Sequence, residues 1–405
     1  MEALMTPIEK EQFLRQDDYF FNKRLSRSSS CPLVCSDEVC LTRFHRACED
    51  GRLDLVGQFL EFCQDPDCQV LETGDSPLHL TLYHDHKSLT ELLLSRGAHP
   101  NLTNSIGWTP LHALGNRDGD DKDDTTRTFF KIAAQRGRVV AVDARDDLGR
   151  TPLDCAVANL QPNVVDALLE NGADLAGFRF PSEVYFNERL RRSAGESRLE
   201  FVLRVAAGMM AVVERLKRHG YPFDQTTALF MLKLSGLYTL FNAPPDADEG
   251  WYEDERFQRV AKTIAITDGD PRLTLHVLLF MRSEDAAKLV SYEEYSRLTR
   301  SPGYAELPEE CRTACTKHLC SKLTRKFFLD WSKECLMRVA PPEMSHDLKL
   351  ELCEQMLTPL RNAVLYHVCL AAERGLLHEL AMFDEMKIDL RKLDSLFSRN
   401  KIVQD

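Results

Sequence analysis

Two groupings of cysteine and histidine are where this sequence could first do chemistry. Cys31, Cys35 and Cys40, with His45 and Cys48 close behind, could supply a tetrahedral set of zinc ligands, and so could Cys311, Cys315, His318 and Cys320. Structural zinc sites match one tight Cys-x-x-Cys-type turn with a second, and neither grouping has that frame. Cys311 and Cys315 instead stand one helical turn apart, as core cysteines do. His84-Asp85-His86 offers a base beside an orienting carboxylate, but its place between two apolar stretches suits a turn between helices. The run from Asn116 to Asp124 alternates aspartates like a calcium loop. Such a loop needs Asp or Asn at its fifth position and glycine at its sixth, where Lys122 and Asp123 stand, so the run reads as a solvated acidic loop. Phosphate loops, dinucleotide fingerprints and hydrolase elbows are absent. Nothing selects one Cys–His pair among thirteen cysteines and twelve histidines. No catalytic residue, metal site or cofactor is therefore assigned, and a non-enzyme is expected.

Composition narrows the class of molecule that could position such residues. At about 100–200 residues per domain, 405 residues suggest two or three domains. With 51 basic and 63 acidic residues the chain carries −12, which repels phosphate backbones and argues against nucleic acid as a partner. Hydrophobic content of 43% and charged content of 28% exclude wholesale disorder. The longest clean apolar stretch, Val205 to Val213, is under half of the ~20 residues that a membrane span needs, so no membrane contact is expected. The opening Met1-Glu-Ala-Leu-Met-Thr-Pro7 lacks a basic and then apolar leader. Reduced thiols and a cytoplasmic location, with the nucleus also open, are the expectation.

Self-similarity organises the first half. Gly74-Asp75-Ser76-Pro77-Leu78-His79 returns 33 residues later as Gly107-Trp108-Thr109-Pro110-Leu111-His112. It returns again, 42 residues on, as Gly149-Arg150-Thr151-Pro152-Leu153-Asp154. The first interval is the ankyrin period, and the second implies an insertion of nine residues near 116–127. Phe44 to Gly51 fits the same frame upstream, giving about four repeats with the first degenerate. Ser76, Thr109 and Thr151 are expected N-caps, with a proline following each at the first helical position. Gly97 and Gly172 suit left-handed helix ends. His79 and His112 are expected to bond the cap hydroxyl and tie neighbouring turns together, whereas Asp154 alters the third tie.

After Asp174 the repeat frame fades, and Phe178-Arg179-Phe180-Pro181 breaks it. A stretch near Ser182–Arg192 reads as linker or irregular helix. The 3.6-residue spacing of Phe201, Val205, Met209, Val212, Val213 and Leu216 predicts a helix buried on one face. Further helices are expected near 225–241, 253–265, 273–282, 283–289, 292–299, 309–319 and 324–339. The fold class is all-α: an ankyrin-repeat solenoid followed by a helical C-terminal region. The expected divisions are an N-terminal segment (1–38), repeats (39–178), a helical region with degenerate repeat-like pairs (179–335) and a tail (336–405).

Asp143 to Leu160 and Ala173 to Ser182 resemble the expanded ankyrin-repeat proteins of parasitoid wasps, as do Ala211–Leu216, Trp251-Tyr252, Glu284–Leu289 and His318-Leu-Cys320. The resemblance covers roughly Leu41 to Ala372. It implies an ankyrin scaffold with a helical tail and brings no reaction. The tail of that family is similar to the F-box-like PRANC module of poxviral ankyrin proteins. The comparable residues here are Ala340-Pro-Pro-Glu343, then Leu348, Leu350, Leu352, Cys353, Met356 and Leu357, then Val364 to Ala372. The module would dock short apolar helices on a Skp-type adaptor of a cullin–RING ubiquitin ligase. Ala340 or Pro341 replaces the opening leucine of an F-box, and a helical pair that merely caps the array is the alternative.

The expected function is protein binding by an ankyrin adaptor, with a ubiquitin-ligase substrate receptor as the alternative. The partner would sit on the concave face and projecting turns of the repeats, at Asp75, Asn104, Ser105, Ile106, Trp108, Arg145, Asp147 and Arg150. Trp108 and Arg150 are the best candidate anchors by residue type, and packing of Trp108 within the array is the competing use. Tail docking would use Leu348, Leu352, Met356, Leu357 and Val368, if they form an exposed groove-filler rather than a core.

Overall fold

The computed structural model describes residues 38–62, 64–117, 124–192, 196–237, 250–267, 271–299, 301–339, 345–358 and 360–374. Cys31 and Cys35, the centre of the acidic insertion, the Ala340–Glu343 stretch and the end of the tail beyond residue 374 lie outside these residues. Helices and their connections make up the described chain, with a single isolated bridge between Ala265 and Thr274. Two compact units result, one ending at Pro152 and the other beginning at Leu153.

The first unit holds α1 (Glu38–Glu49), α2 (Leu53–Glu61), α3 (Pro77–Tyr83), α4 (Lys87–Ser95), α5 (Pro110–Gly115) and α6 (Thr125–Gln135). First helices pack on first helices and second on second, so α1, α3 and α5 form one row and α2, α4 and α6 the other. Leu78, Leu82, Leu111 and Leu114 from the first row, and Leu89, Leu93 and Phe129 from the second, are fully buried. No short helix pair could bury this area alone, so the rows exist only as a stack. Gly97 closes α4 at φ 99°, a conformation in which a side chain would be strained.

Polar ties set the register between repeats. The Ser76 N–H donates to His79 Nδ1 at 3.1 Å, and the Ser76 hydroxyl lies 2.8 Å from the same nitrogen. Thr109 and His112 repeat the arrangement at 3.1 and 2.9 Å. A ring nitrogen that accepts from an amide leaves the opposite nitrogen as donor. His79 Nε2 accordingly reaches the Trp108 carbonyl at 2.8 Å, and His112 Nε2 the Arg150 carbonyl at 3.0 Å. Each neutral histidine thus caps its own helix and holds the next turn.

The His84-Asp85-His86 trio is absorbed by the same stack. His86 Nε2 donates to the Glu49 carbonyl at 2.7 Å. Asp85 takes a left-handed φ of 60°, accepts from the Thr125 hydroxyl at 2.8 Å and forms an ion pair with the fully buried Arg117. Residues on both sides of the insertion are therefore pinned to the preceding inter-helix turn.

The second unit begins with α7 (Pro152–Ala158), whose first residue closes the previous unit, and continues with α8 (Pro162–Glu170), α9 (Glu183–Arg189), α10 (Arg198–Arg218) and α11 (Gln225–Leu237). A 3-10 turn at Trp251–Glu253 precedes α12 (Glu255–Ala261), α13 (Leu275–Phe280), α14 (Ser283–Leu289), α15 (Tyr292–Leu298) and α16 (Pro302–Ala305). The unit ends with α17 (Glu309–Val339), α18 (His346–Leu357) and α19 (Asn362–Arg374). The hub is α10, which packs on α8, α15 and α17. Its Gly208 admits the turn at Leu160, whose Cβ would lie 2.8 Å from an added methyl group. Asp166 on α8 pairs with Arg215 at 2.6 Å and meets His219 Nε2 at 3.3 Å, which fastens the end of α10.

Two sequence expectations change. Ser182–Arg192 contains an ordinary helix, capped where the Ser182 hydroxyl accepts from the Tyr185 N–H. The helices expected at 309–319 and 324–339 are one continuous helix, α17. The intervening residues hold neither glycine nor proline, and Thr316, Thr324 and Ser332 are polar residues accommodated inside it, Thr316 and Thr324 by bonding carbonyls four residues back. The break at Phe178–Pro181 is where an aromatic core starts: Phe180 lies within 6.4 Å, ring centre to centre, of Phe186, Tyr221, Phe223 and Phe230.

The histidine ties carry a pH dependence. Burial leads in holding the His79 ring below its ordinary pKa, outweighing the bond to the Trp108 carbonyl and the nearby Asp75. An unfolded histidine takes up its proton near pH 6.5, so the contribution of this ring is complete above that value and is lost as pH falls toward the lower folded pKa. His79→Ala should cost about 1–3 kcal/mol near pH 7.5. Urea titrations at successive pH values should show the wild type losing part of that advantage below about pH 6.5. A constant difference between the two proteins from pH 7.5 to 5 would refute the neutral tie.

Candidate functional site

The turns that project ahead of α5 and α7 are built alike. Asn104 Oδ1 accepts from the amides of Ile106 and Trp108 at 3.1 and 2.9 Å. Asp146, 42 residues on, accepts from Leu148 and Arg150 at 3.0 and 2.8 Å. In both, a side-chain oxygen organises a tight turn by occupying amides two and four residues ahead. Adjacent turns are also joined through the backbone, Ser105 N–H to the Thr73 carbonyl at 3.0 Å and Asp147 N–H to the Ile106 carbonyl at 3.2 Å. The result is a short ladder of tips within the first unit.

The eight residues expected to meet a partner divide by what they already hold. Asp75 accepts from Asn104 Nδ2 at 2.8 Å, so both are half-buried and committed to tip-to-tip contact. Ser105 is exposed, and its hydroxyl donates to the Thr73 carbonyl. Trp108 is half-buried, with its indole N–H directed at Asp146 Oδ2 at 3.2 Å. Arg150 reaches the same carboxylate at 2.7 Å through its Nε and forms the ion pair there. Both candidate anchors thus converge on one buried carboxylate inside the array. Arg145 and Asp147 are exposed, Arg145 donating to the Gly149 carbonyl at 2.7 Å. Ile106 is 47% exposed.

Sequence reasoning missed two residues of this surface. Leu148 is 75% exposed and occupies the position of Ile106 in the next tip, immediately before the turn glycine. Asp146 holds the position of Asn104. The register of the Thr-Pro-Leu motif would have found both. Ile106 and Leu148 give neighbouring tips an apolar point each, flanked by the charges of Arg145 and Asp147.

In the tail, Met356, Leu357 and Val368 are buried where α18 and α19 pack on α17. Leu348 is exposed, as is Leu350, and the side chain of Leu352 lies outside the described part. The α18–α19 corner is pinned by Arg325, which bonds the carbonyls of Thr358 and Leu360 and, at 3.0 Å, Asn362 Oδ1.

Of the two cysteine groupings, Cys48, Cys311, Cys315 and Cys320 are described, and all four are buried free thiols. Burial pushes Cys315 and Cys320 up to about 12, while the His318 ring bonds the Leu279 carbonyl at 3.3 Å. Burial likewise raises Cys48, and His45 Nε2 donates to the Cys68 carbonyl at 2.9 Å. Among the described residues, no group of His, Cys, Asp and Glu is placed to hold a metal ion. Nor is any described helix long and apolar enough to cross a membrane.

Comparison with known proteins agrees with the geometry. A family model for ankyrin repeats matches residues 44–116, and a single ankyrin repeat matches residues 148–176. The chain is 34% identical over 109 residues to neurogenic locus notch homolog protein 4 of Homo sapiens, covering 27% of this chain and 5% of that protein. It is 31% identical over 158 residues to a transient receptor potential cation channel subfamily A member 1 homolog of Caenorhabditis elegans, covering 32% and 13%. Over 158 residues it is 28% identical to palmitoyltransferase AKR1 of Lachancea kluyveri, covering 32% and 21%. The chain therefore spans a small fraction of the length of each of these relatives.

Asp146 is the keystone of the tips. Burial alone would raise its carboxyl, but the hydrogen bonds and charge of Arg150, with the Leu148 amide, hold it below the usual carboxylate range. Its stabilisation is present above the unfolded pKa of about 3.9 and is lost as pH falls through the folded value. Asp146→Ala should cost about 2–4 kcal/mol and shift Trp108 emission. Asp146→Asn, which keeps the turn as Asn104 does, should recover about half of that loss. Equal losses for the two variants, read by chemical denaturation, would show that the turn oxygen contributes nothing.

Proposed function

We propose that this chain is a protein-binding scaffold that holds its partner on the ladder of turn tips, with Ile106 and Leu148 as the apolar contacts and Arg145 and Asp147 as the charged rim. The observation that carries the reading is the division of labour just described. Asp75, Asn104, Trp108 and Arg150 are engaged within the array, whereas Ile106 and Leu148 are ordered, adjacent and exposed. Rigid apolar points ringed by polar groups are what interface cores are made of. Ankyrin repeats are general protein-binding modules, and family models for them match residues 44–116 and 148–176. Tips locked by backbone bonds lose little entropy when a partner docks.

A second reading, the ubiquitin-ligase receptor implied by the resemblance of the tail to F-box-like modules, is favoured by Leu348 and Leu350 alone. Both stand exposed on α18, where a Skp-type adaptor could engage them. The burial of Met356, Leu357 and Val368 supports the cap instead.

The two readings separate in one experiment with the full-length chain. Ile106→Asp with Leu148→Asp should weaken every specific partner captured by the wild type at least about tenfold, with unchanged circular dichroism. Undiminished capture would sink the tip reading. Leu348→Asp with Leu350→Asp should leave that capture intact. Micromolar binding of a Skp-type adaptor by the wild type, abolished in this second variant, would establish the receptor reading.

A further inference from the structure

Two stretches of this acidic chain, 92–117 and 125–142, contain no aspartate or glutamate. Together they carry six lysine and arginine side chains. Arg117 pairs with Asp85 and Arg127 with Asp124. Of the remaining four, Lys131 lies midway along α6, whereas Arg96, Arg136 and Arg138 stand at the ends of α4 and α6. These two ends are built alike. The Arg96 N–H donates to the Leu92 carbonyl at 2.9 Å, and the Arg136 N–H to the Ile132 carbonyl at 3.0 Å. The Ala98 amide reaches the Leu93 carbonyl at 3.0 Å, and the Arg138 amide the Ala133 carbonyl at 2.9 Å. Gly97 and Gly137 take left-handed φ values of 99° and 65° in between.

Because α4 and α6 are neighbours in one row, their matched ends stand one helix spacing apart, about 8–10 Å. Asn101 joins them: its Nδ2 donates to the Val139 carbonyl at 2.7 Å, and its Oδ1 accepts from the Ala141 N–H at 2.9 Å. With its backbone held in this way, Val139 leaves its side chain 85% exposed. Arg96, Arg136 and Arg138 are also exposed, and none of them forms an ion pair or side-chain hydrogen bond among the described residues. Acids close in sequence do not compensate them. Asp67 accepts from the His99 amide at 2.7 Å, and Asp143 has a partner other than these arginines. Glu91 lies more than a turn before Arg96, on another face of α4, at the place that Lys131 holds on α6. The helix dipole favours a cation at each C-cap, so Arg96 and Arg136 by themselves would signify nothing. Arg138 and Val139 lie beyond the helix and have no such use.

We infer that these paired helix ends bind a short acidic peptide segment of a partner protein, its carboxylates on Arg96, Arg136 and Arg138 and an apolar side chain against Val139. A guanidinium fork matches a carboxylate with two parallel hydrogen bonds, which is how arginine clusters recognise acidic motifs. One exposed ion pair contributes little, so such a site needs several cations on an ordered backbone. The matched caps and the Asn101 bonds supply that order. A nucleic acid or an anionic bilayer would extend past the patch onto a surface of its own sign, whereas a short peptide does not. The site shares no residue with the turn tips and does not depend on the reading given to them.

The probe is a fluorescein-labelled Glu-Glu-Leu-Glu-Glu-Leu peptide, titrated with the full-length protein at an ionic strength of about 0.15 M and read by anisotropy. Saturable one-site binding is expected, with a Kd of about 100 µM or tighter. Arg136→Gln with Arg138→Gln should weaken it at least about tenfold, and Val139→Asp should do the same. All three side chains are exposed, so circular dichroism should be unchanged. Lys262→Gln, which removes an exposed cation from the second unit, should leave the affinity as it was. Absence of saturation at millimolar concentration, or equal affinity in the arginine variant, would overturn the proposal. Tighter binding to phosphatidylserine vesicles or duplex RNA than to the peptide would overturn it as well.

Discussion

Everything in the first unit depends on a constraint of length. A repeat of about 33 residues folds into two short helices that cannot bury their own apolar faces, so its free energy comes almost wholly from its neighbours. Apolar contact alone leaves such neighbours free to slide. His79 and His112 remove that freedom, because each ring caps its own helix with one nitrogen and grips the next turn with the other. The device works only while the rings are neutral. The register of the stack and its protonation state are thus one property.

The second unit solves the same problem by other means. Its long helices α10 and α17 each contact several partners, so alignment follows from aromatic packing around Phe180, Phe223 and Trp331 rather than from polar ties. Where the repeat motif loses its histidine, at Asp154, the chain is already entering this regime. The Asp166–Arg215 pair is a remaining polar fastener, placed where the last recognisable repeat helix meets α10.

The sequence was most legible where a local rule repeats. The Thr-Pro-Leu-His motif announces its caps, its first helical turn and its period, since each of those interactions lies within a few residues. Long-range pairings stayed hidden. Nothing near Asp85 indicates that Arg117 will be buried against it. The continuity of α17 was obscured for a different reason: Thr316 and Thr324, polar residues near its middle, bond carbonyls within the helix. Asp146 was readable in principle, since it repeats Asn104, but attention to residue type favoured Trp108 and Arg150, the two side chains that it holds in place.

The engagement of Trp108 and Arg150 by Asp146 bears on how recognition would work in such a fold. Tryptophan and arginine are the usual anchors of interfaces, yet here they are used to make the tips stiff. Stiffness is what lets small exposed residues act as contacts, because a tip that is already ordered gives up little entropy on binding. Ile106 and Leu148 each expose a modest area, but they stand on adjacent turns joined by the Asp147–Ile106 backbone bond. Their spacing is therefore fixed by the array. In the proposed reading such a surface would discriminate by the distance between its apolar points, and the residues that set the distance lie beneath it.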